Sequence, residues 1–322
     1  MKLPNFVMIG AAKCGSTSLY NYLRQHPDIY MCPKEDANFF ALEGGVVKLY
    51  MPPPSEKVGR KWVYNLAEYA GLFEAAAGQR AIGESSNVYL NISRSAERIH
   101  HYCPNAKIMA IVRNPVDRAF SNFLHLSGMG LEPYSDFAEA LNAEDKRVKD
   151  GWHPMWFYKQ TGHYHALLQP YFDRFDKNRI RIFLYDDLAR DPIGLVQSVF
   201  EFLEVDRNFR PDVSEVHKAT GVPGNKSLHK FLTERNPFKT LLKALVPDRL
   251  REQLRANVAK KLVKRNLVKP VLPAGTRKVL VEEYREDVLK LQEQIGRDLS
   301  HWLRVPAAKG RNENEARESL HR

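Results

Sequence analysis

The run Lys107–Val112 (KIMAIV) is the segment that most narrows what this chain can fold into. Its apolar residues are continuous instead of alternating, so a strand there must be covered on both faces, as in a parallel sheet. Asn114-Pro115 follows and starts a helix, with proline in the first turn, where its missing N–H costs nothing. A second short apolar run, Asn5–Gly10 (NFVMIG), precedes a helical pattern over 16–26 that Pro27 stops. Ala81–Glu84 and Arg179–Leu184 read as further strands, and 92–102 and 192–203 as helices. Strands alternating with helices predict an α/β domain: a parallel β-sheet flanked by helices.

From Leu228 onward only helical patterns are expected, giving a helical C-terminal part. Leu250, Leu254, Val258 and Leu262 repeat at i, i+4 spacing, and Pro273 opens a long helix towards Trp302. No linker interrupts the chain, so residues 1–305 are expected to form one domain and the polar stretch 306–322 a disordered tail. With 43% hydrophobic residues a full core is expected. The net charge of +11 is concentrated: Lys226–Lys269 holds 13 Lys and Arg against 3 Asp and Glu, and the rest is near neutral. Cys14, Cys32 and Cys103 form no CxxC pair, the usage of a reducing compartment. No apolar run reaches the ~18 residues of a membrane span, and the N-terminus leaves no room for a signal peptide, so a cytoplasmic protein is expected.

Chemistry is concentrated in Ile9-Gly10-Ala11-Ala12-Lys13-Cys14-Gly15-Ser16-Thr17-Ser18, between the first strand and its helix. Successive N–H groups at such a junction make an anion site. Gly10 and Gly15 have the spacing of a nucleotide-binding GxxxxGK[ST] loop, but Ser16 stands where that loop has lysine, and Lys13 lies inside the loop. The cation would meet a phosphate near a bridging oxygen. A second site follows Lys107–Val112. A nucleoside triphosphatase commonly ends such a strand in a Mg²⁺-binding Asp; here Arg113 stands, a planar fork suited to phosphate. Ser121, two turns into the next helix, can add a hydroxyl. Two phosphate sites and no evident metal site suit a nucleotide phosphorylated at both ends.

These residues resemble the sulfotransferases that use 3′-phosphoadenosine 5′-phosphosulfate (PAPS). Lys13-Cys14-Gly15-Ser16-Thr17-Ser18-Leu19 is similar to their 5′-phosphosulfate loop. Arg113-Asn114-Pro115-Val116-Asp117-Arg118-Ala119-Phe120-Ser121 is similar to their 3′-phosphate site, where an Arg and a Ser hold the phosphate. Pro33-Lys34-Glu35-Asp36-Ala37-Asn38-Phe39-Phe40 resembles the KExxxFF segment of the branch containing the heparan sulfate enzymes and bacterial relatives. Gly162-His163-Tyr164 and Gly296–Trp302 match later landmarks, so the resemblance runs from about Phe6 to Trp302. It implies a P-loop-type fold and sulfuryl transfer from PAPS to a hydroxyl or amine acceptor without a metal. Lys13 and Glu35 would be catalytic, the latter as base. The donor would be held by Lys13, Cys14, Gly15, Ser16, Thr17, Ser18, Arg113 and Ser121. Lys226, in Gly221–Ser227, would make a second 3′-phosphate contact.

The chain departs from the family at Gly83-Glu84-Ser85-Ser86-Asn87, where many relatives have GEKSP or GEKTP and so a lysine near the acceptor. Glu84 is the second choice of base, with His26, His125 and His163 behind it. Cys14 reads as a loop filler; Trp152, Trp156, Phe157 and Tyr158 read as core. The basic segment 226–269 has three readings: solvated helices, a funnel for anions, or a peripheral membrane contact. No readout motif supports nucleic acid. Against the sulfotransferase stand an ATP-dependent small-molecule kinase and a non-catalytic polyanion- or membrane-binding protein. Glycan, glycolipid, polyketide and phenolic acceptors remain equally compatible.

Overall fold

A computed structural model of the chain describes residues 1–52, 62–214, 222–223, 267–268 and 270–305. Five strands form one parallel sheet: β1 (Phe6–Met8), β2 (Ile29–Met31), β3 (Ala81–Ser85), β4 (Lys107–Val112) and β5 (Ile180–Leu184), in the order β2-β3-β1-β4-β5. The central strand β1 and its neighbour β4 meet the expectation of burial on both faces: Phe6, Val7 and Met8 are fully buried, as are Ile108 to Val112. Phe6 pairs with Gly83 on one side and Lys107 on the other. A Cβ on Gly83 would lie 2.0 Å from the Phe6 ring, so only glycine admits that ring across β3.

Most of the expected elements form, with altered ends. The first helix is Ser16–Leu23 instead of 16–26, because His26 leaves the helix to take part in a turn: its Nδ1 accepts from Asp28 N at 3.0 Å. The last helix covers Ala274–Ile295 and stops at a left-handed Gly296, and Trp302 lies in a separate 3-10 turn, Ser300–Leu303. Strand β2 was not expected; three residues are too few to show a period. The helices-only expectation beyond Leu228 is corrected by a two-residue strand, Leu267–Val268, paired antiparallel with Val222–Pro223. Leu250–Leu262, Lys226, nearly all of the basic segment and the 306–322 tail lie outside the described residues.

The topology places the site. β1 and β4 are neighbours, yet the chain leaves β1 towards β2 on one flank and leaves β4 towards β5 on the other. Their loops therefore diverge and open a crevice at the strands' carboxyl ends, the switch point where ligands bind in such sheets.

Candidate active site

A cleft of about 540 Å³ opens at that crevice. Both sequence-predicted anion sites line it: Lys13, Gly15, Ser16, Thr17 and Ser18 from the loop after β1, and Arg113 and Ser121 from the segment after β4. Gly15 is the N-cap of helix Ser16–Leu23 at φ 94°, and no side chain caps that helix. Its first-turn N–H groups thus face the cleft at the positive end of the helix. A side chain on Gly15 would be strained at that φ and would meet Leu188 at 2.7 Å. Lys13 also has a left-handed backbone, φ 69°.

Across the cleft, Arg113 packs its guanidinium over the Tyr185 ring, 4.6 Å from the centroid, which fixes the plane of its donor fork. Asn114 caps helix Pro115–Gly128 by accepting from the N–H groups of Val116 and Asp117, and its amide donates to the Trp302 carbonyl at 3.2 Å. This ties the second anion site to the C-terminal turn whose sequence formed part of the family resemblance.

Glu35 does not line the cleft itself; its Oε1 accepts a hydrogen bond of 2.8 Å from Thr17 Oγ1, which does. The adjacent Asp36 is on the wall, its Oδ1 accepting from Asn87 N at 3.0 Å and Asn87 Nδ2 at 3.2 Å. Sequence reasoning passed over Asp36, although its place beside Glu35 was the available signal. It also missed His153, Trp62 and Arg118. His153 stacks on Trp62 at 5.3 Å, and burial pulls its pKa down to about 4, so it faces the cleft as a neutral ring.

Other candidates are placed elsewhere. The Cys14 side chain turns into the core beside the Tyr164 hydroxyl, 3.7 Å away, and burial pushes its thiol up to about 11, the place of a loop filler. Glu84 is fully buried behind the wall, with Ser86 Oγ donating to Oε2 at 3.0 Å. Burial raises its pKa to about 8 despite hydrogen bonds from Tyr89 and Ser86. His26 is a packed core ring whose Nε2 reaches the Asp206 carbonyl at 3.0 Å, and His163 sits by Glu283 at 3.3 Å, off the cleft. Of the three histidines weighed as bases, His125 alone lines it. Trp156 and Tyr158 are buried in the core as expected, and neither Trp152 nor Phe157 is part of the cleft wall.

A solved sulfotransferase from Alicyclobacillus acidocaldarius superposes with a TM-score of 0.72 at 31% identity, over 94% of this chain and 100% of that one. Human carbohydrate sulfotransferase 15 is 25% identical over 254 residues, 63% of this chain and 44% of that protein. The membrane-associated sulfotransferase kil1 of Dictyostelium discoideum is 31% identical over 121 residues, 38% of this chain and 22% of that protein. The chain thus spans less than half the length of these two curated relatives. A relative that is membrane-associated overturns the expectation of a cytoplasmic protein. Among the described residues no helix is long and apolar enough to cross a membrane, but peripheral attachment requires no such helix. Neither the kinase nor the non-catalytic reading finds support in these comparisons. Residues 4–209, a span that contains both anion sites and the Glu35 segment, match the sulfotransferase family, and the chain belongs to that family.

Proposed function

We propose that this protein moves a sulfuryl group from PAPS to a hydroxyl of a carbohydrate acceptor. The observation that carries this is the opening of both anion sites, Lys13–Ser18 and Arg113 with Ser121, into one cleft. The uncapped start of helix Ser16–Leu23 and Lys13 suit the 5′ end of such a donor. Arg113 and Ser121 suit its 3′-phosphate, and we assign Lys226 to the same phosphate. The carbohydrate class draws support from the likeness to human carbohydrate sulfotransferase 15.

In the transfer, the bond from sulfur to the donor's bridging oxygen breaks as the acceptor oxygen bonds to sulfur. Negative charge grows on the leaving phosphate oxygen, and Lys13 with the helix-start N–H groups stabilises it without reorganising. A metal is not required in this scheme, because these cations neutralise the leaving group and Arg113 stands where a triphosphatase has its Mg²⁺ carboxylate. The acceptor's proton passes to a carboxylate of the Glu35–Asp36 segment. Glu35 is the assigned base, and its bond to Thr17 holds it against the loop that binds the donor. Asp36 is the second reading, favoured by its place on the cleft wall.

Incubation with sulfur-labelled PAPS and a panel of oligosaccharide, phenolic and lipid-linked acceptors tests the proposal. Label should move to carbohydrate and the nucleotide product should accumulate in step with it. Nucleotide release without a labelled product, or labelling of phenols alone, would contradict the acceptor class.

A further inference from the structure

Arg118 is the fourth residue of helix Pro115–Gly128 and is 1% exposed, yet it lines the cleft. Its surroundings are unusual for a buried cation. Nη2 donates to the Tyr158 carbonyl and the guanidinium also meets the Tyr284 hydroxyl, while Nε has no hydrogen-bond partner. The groups whose titration it influences are the Cys14 thiol and the Tyr164 and Tyr284 hydroxyls. Burial raises the pKa of all three, so they are neutral at ordinary pH. Glu144, which shares Tyr158 with it, directs its carboxylate to the backbone N–H groups of Tyr158, Lys159 and Gln160. By contrast the other arginine buried among the described residues, Arg147, has a carboxylate partner, Glu132, at 2.6 Å. Among the described residues Arg118 has no such ion pair.

The charge also lies in the first turn of a helix, where the macrodipole disfavours a cation. A buried charge without a counterion is strongly unfavourable, and proteins usually pair it or replace it by an apolar side chain. This one lines the cleft that both anion sites open into, close enough to act on the Cys14 thiol.

We propose that Arg118 is a further donor-binding residue, its buried charge matched by the anionic groups of the bound nucleotide at the floor of the cleft. This rests on the PAPS reading above. Without nucleotide the arginine is a destabilising element, and bound nucleotide supplies the counterion that the described residues lack. Donor binding should therefore stabilise the protein by more than the exposed contacts alone would give.

The test is calorimetric titration with 3′-phosphoadenosine 5′-phosphate, alongside thermal melting with and without it, for the wild-type protein, Arg118→Met and Arg118→Lys. Methionine keeps much of the volume, and the Tyr158 carbonyl keeps a bond from the Tyr284 hydroxyl at 3.1 Å. Arg118→Met should melt at or above the wild-type temperature when free, and bind the nucleotide at least tenfold more weakly. Arg118→Lys should recover part of that affinity. Nucleotide affinity unchanged in Arg118→Met would overturn the proposal. So would a lower melting temperature of the free variant, or its failure to fold, since either makes the arginine structural. A wild-type protein that does not bind the nucleotide would instead defeat the donor reading, which separates the two failures.

Discussion

Thr17 Oγ1 donates to Glu35 Oε1 at 2.8 Å, so the helix that begins the anion cradle also holds the carboxylate assigned as base. In the proposed transfer, donor and acceptor chemistry are thereby coupled through one hydroxyl. Replacing Glu35 by Gln should lower kcat by about 10²–10⁴ and leave binding of the nonreactive product nucleotide intact. Thr17→Val should lower kcat less. Steady-state kinetics on both variants and on Asp36→Asn decides the assignment: a loss confined to Asp36→Asn would move the base to that residue.

Lys13 and Arg113 face the same cleft but should differ in what they do. Lys13→Ala removes a group that acts on developing charge and should cost kcat about 10²–10³. Arg113→Lys keeps the charge but loses the planar fork held over Tyr185. It should raise the donor's KM by about tenfold with a smaller effect on kcat. Equal effects of both variants on kcat alone would contradict this division.

The three cysteines are buried, and desolvation lifts their thiols, Cys14 to about 11 and Cys32 and Cys103 to about 12. Thiolate is the reactive form, so none should react with a disulfide reagent at pH 7.5 until the protein unfolds. A thiol titration with and without denaturant checks this. Rapid modification of any thiol in the native protein would contradict this.

How much of this was legible beforehand follows from what each residue's role depends on. Lys13, Gly15 and Arg113 sit where a strand becomes a helix, and local order fixes such junctions; their place at the cleft could be read directly. The burial of Ile108–Val112 was equally plain from its unbroken apolar run. Arg118 and His153 were not legible, because their meaning comes from burial against Tyr158 and Trp62, contacts far off in the chain. Glu35 and Asp36 are adjacent in sequence, and only the turn, with Asp36 at φ 57°, decides which faces the cleft. The cytoplasmic expectation failed because absence of a spanning helix does not locate a protein.

Glu84 makes stability depend on pH. Its carboxyl titrates near 8 in the fold, against 4.5 for the free side chain, because burial disfavours its charged form. Between those values the folded state holds more protons than the unfolded state, so stability falls as pH rises from about 5 to 8. The slope from this group is at most ~1.4 kcal/mol per pH unit. Glu84→Gln should flatten it, seen as denaturant midpoints of variant and wild type converging at low pH and separating at pH 8. Parallel profiles would mean that Glu84 is already ionised in the fold.

The central claim is that two anion sites in one cleft hold a single nucleotide phosphorylated at both ends. Titration of the wild type and Arg113→Ala with 3′-phosphoadenosine 5′-phosphate and, separately, with ATP·Mg²⁺ tests it most directly. The account predicts that the bisphosphate binds the wild type more tightly than ATP·Mg²⁺, without need of a metal, and that Arg113→Ala loses at least tenfold. Tighter binding of ATP·Mg²⁺, abolished by EDTA, would contradict it.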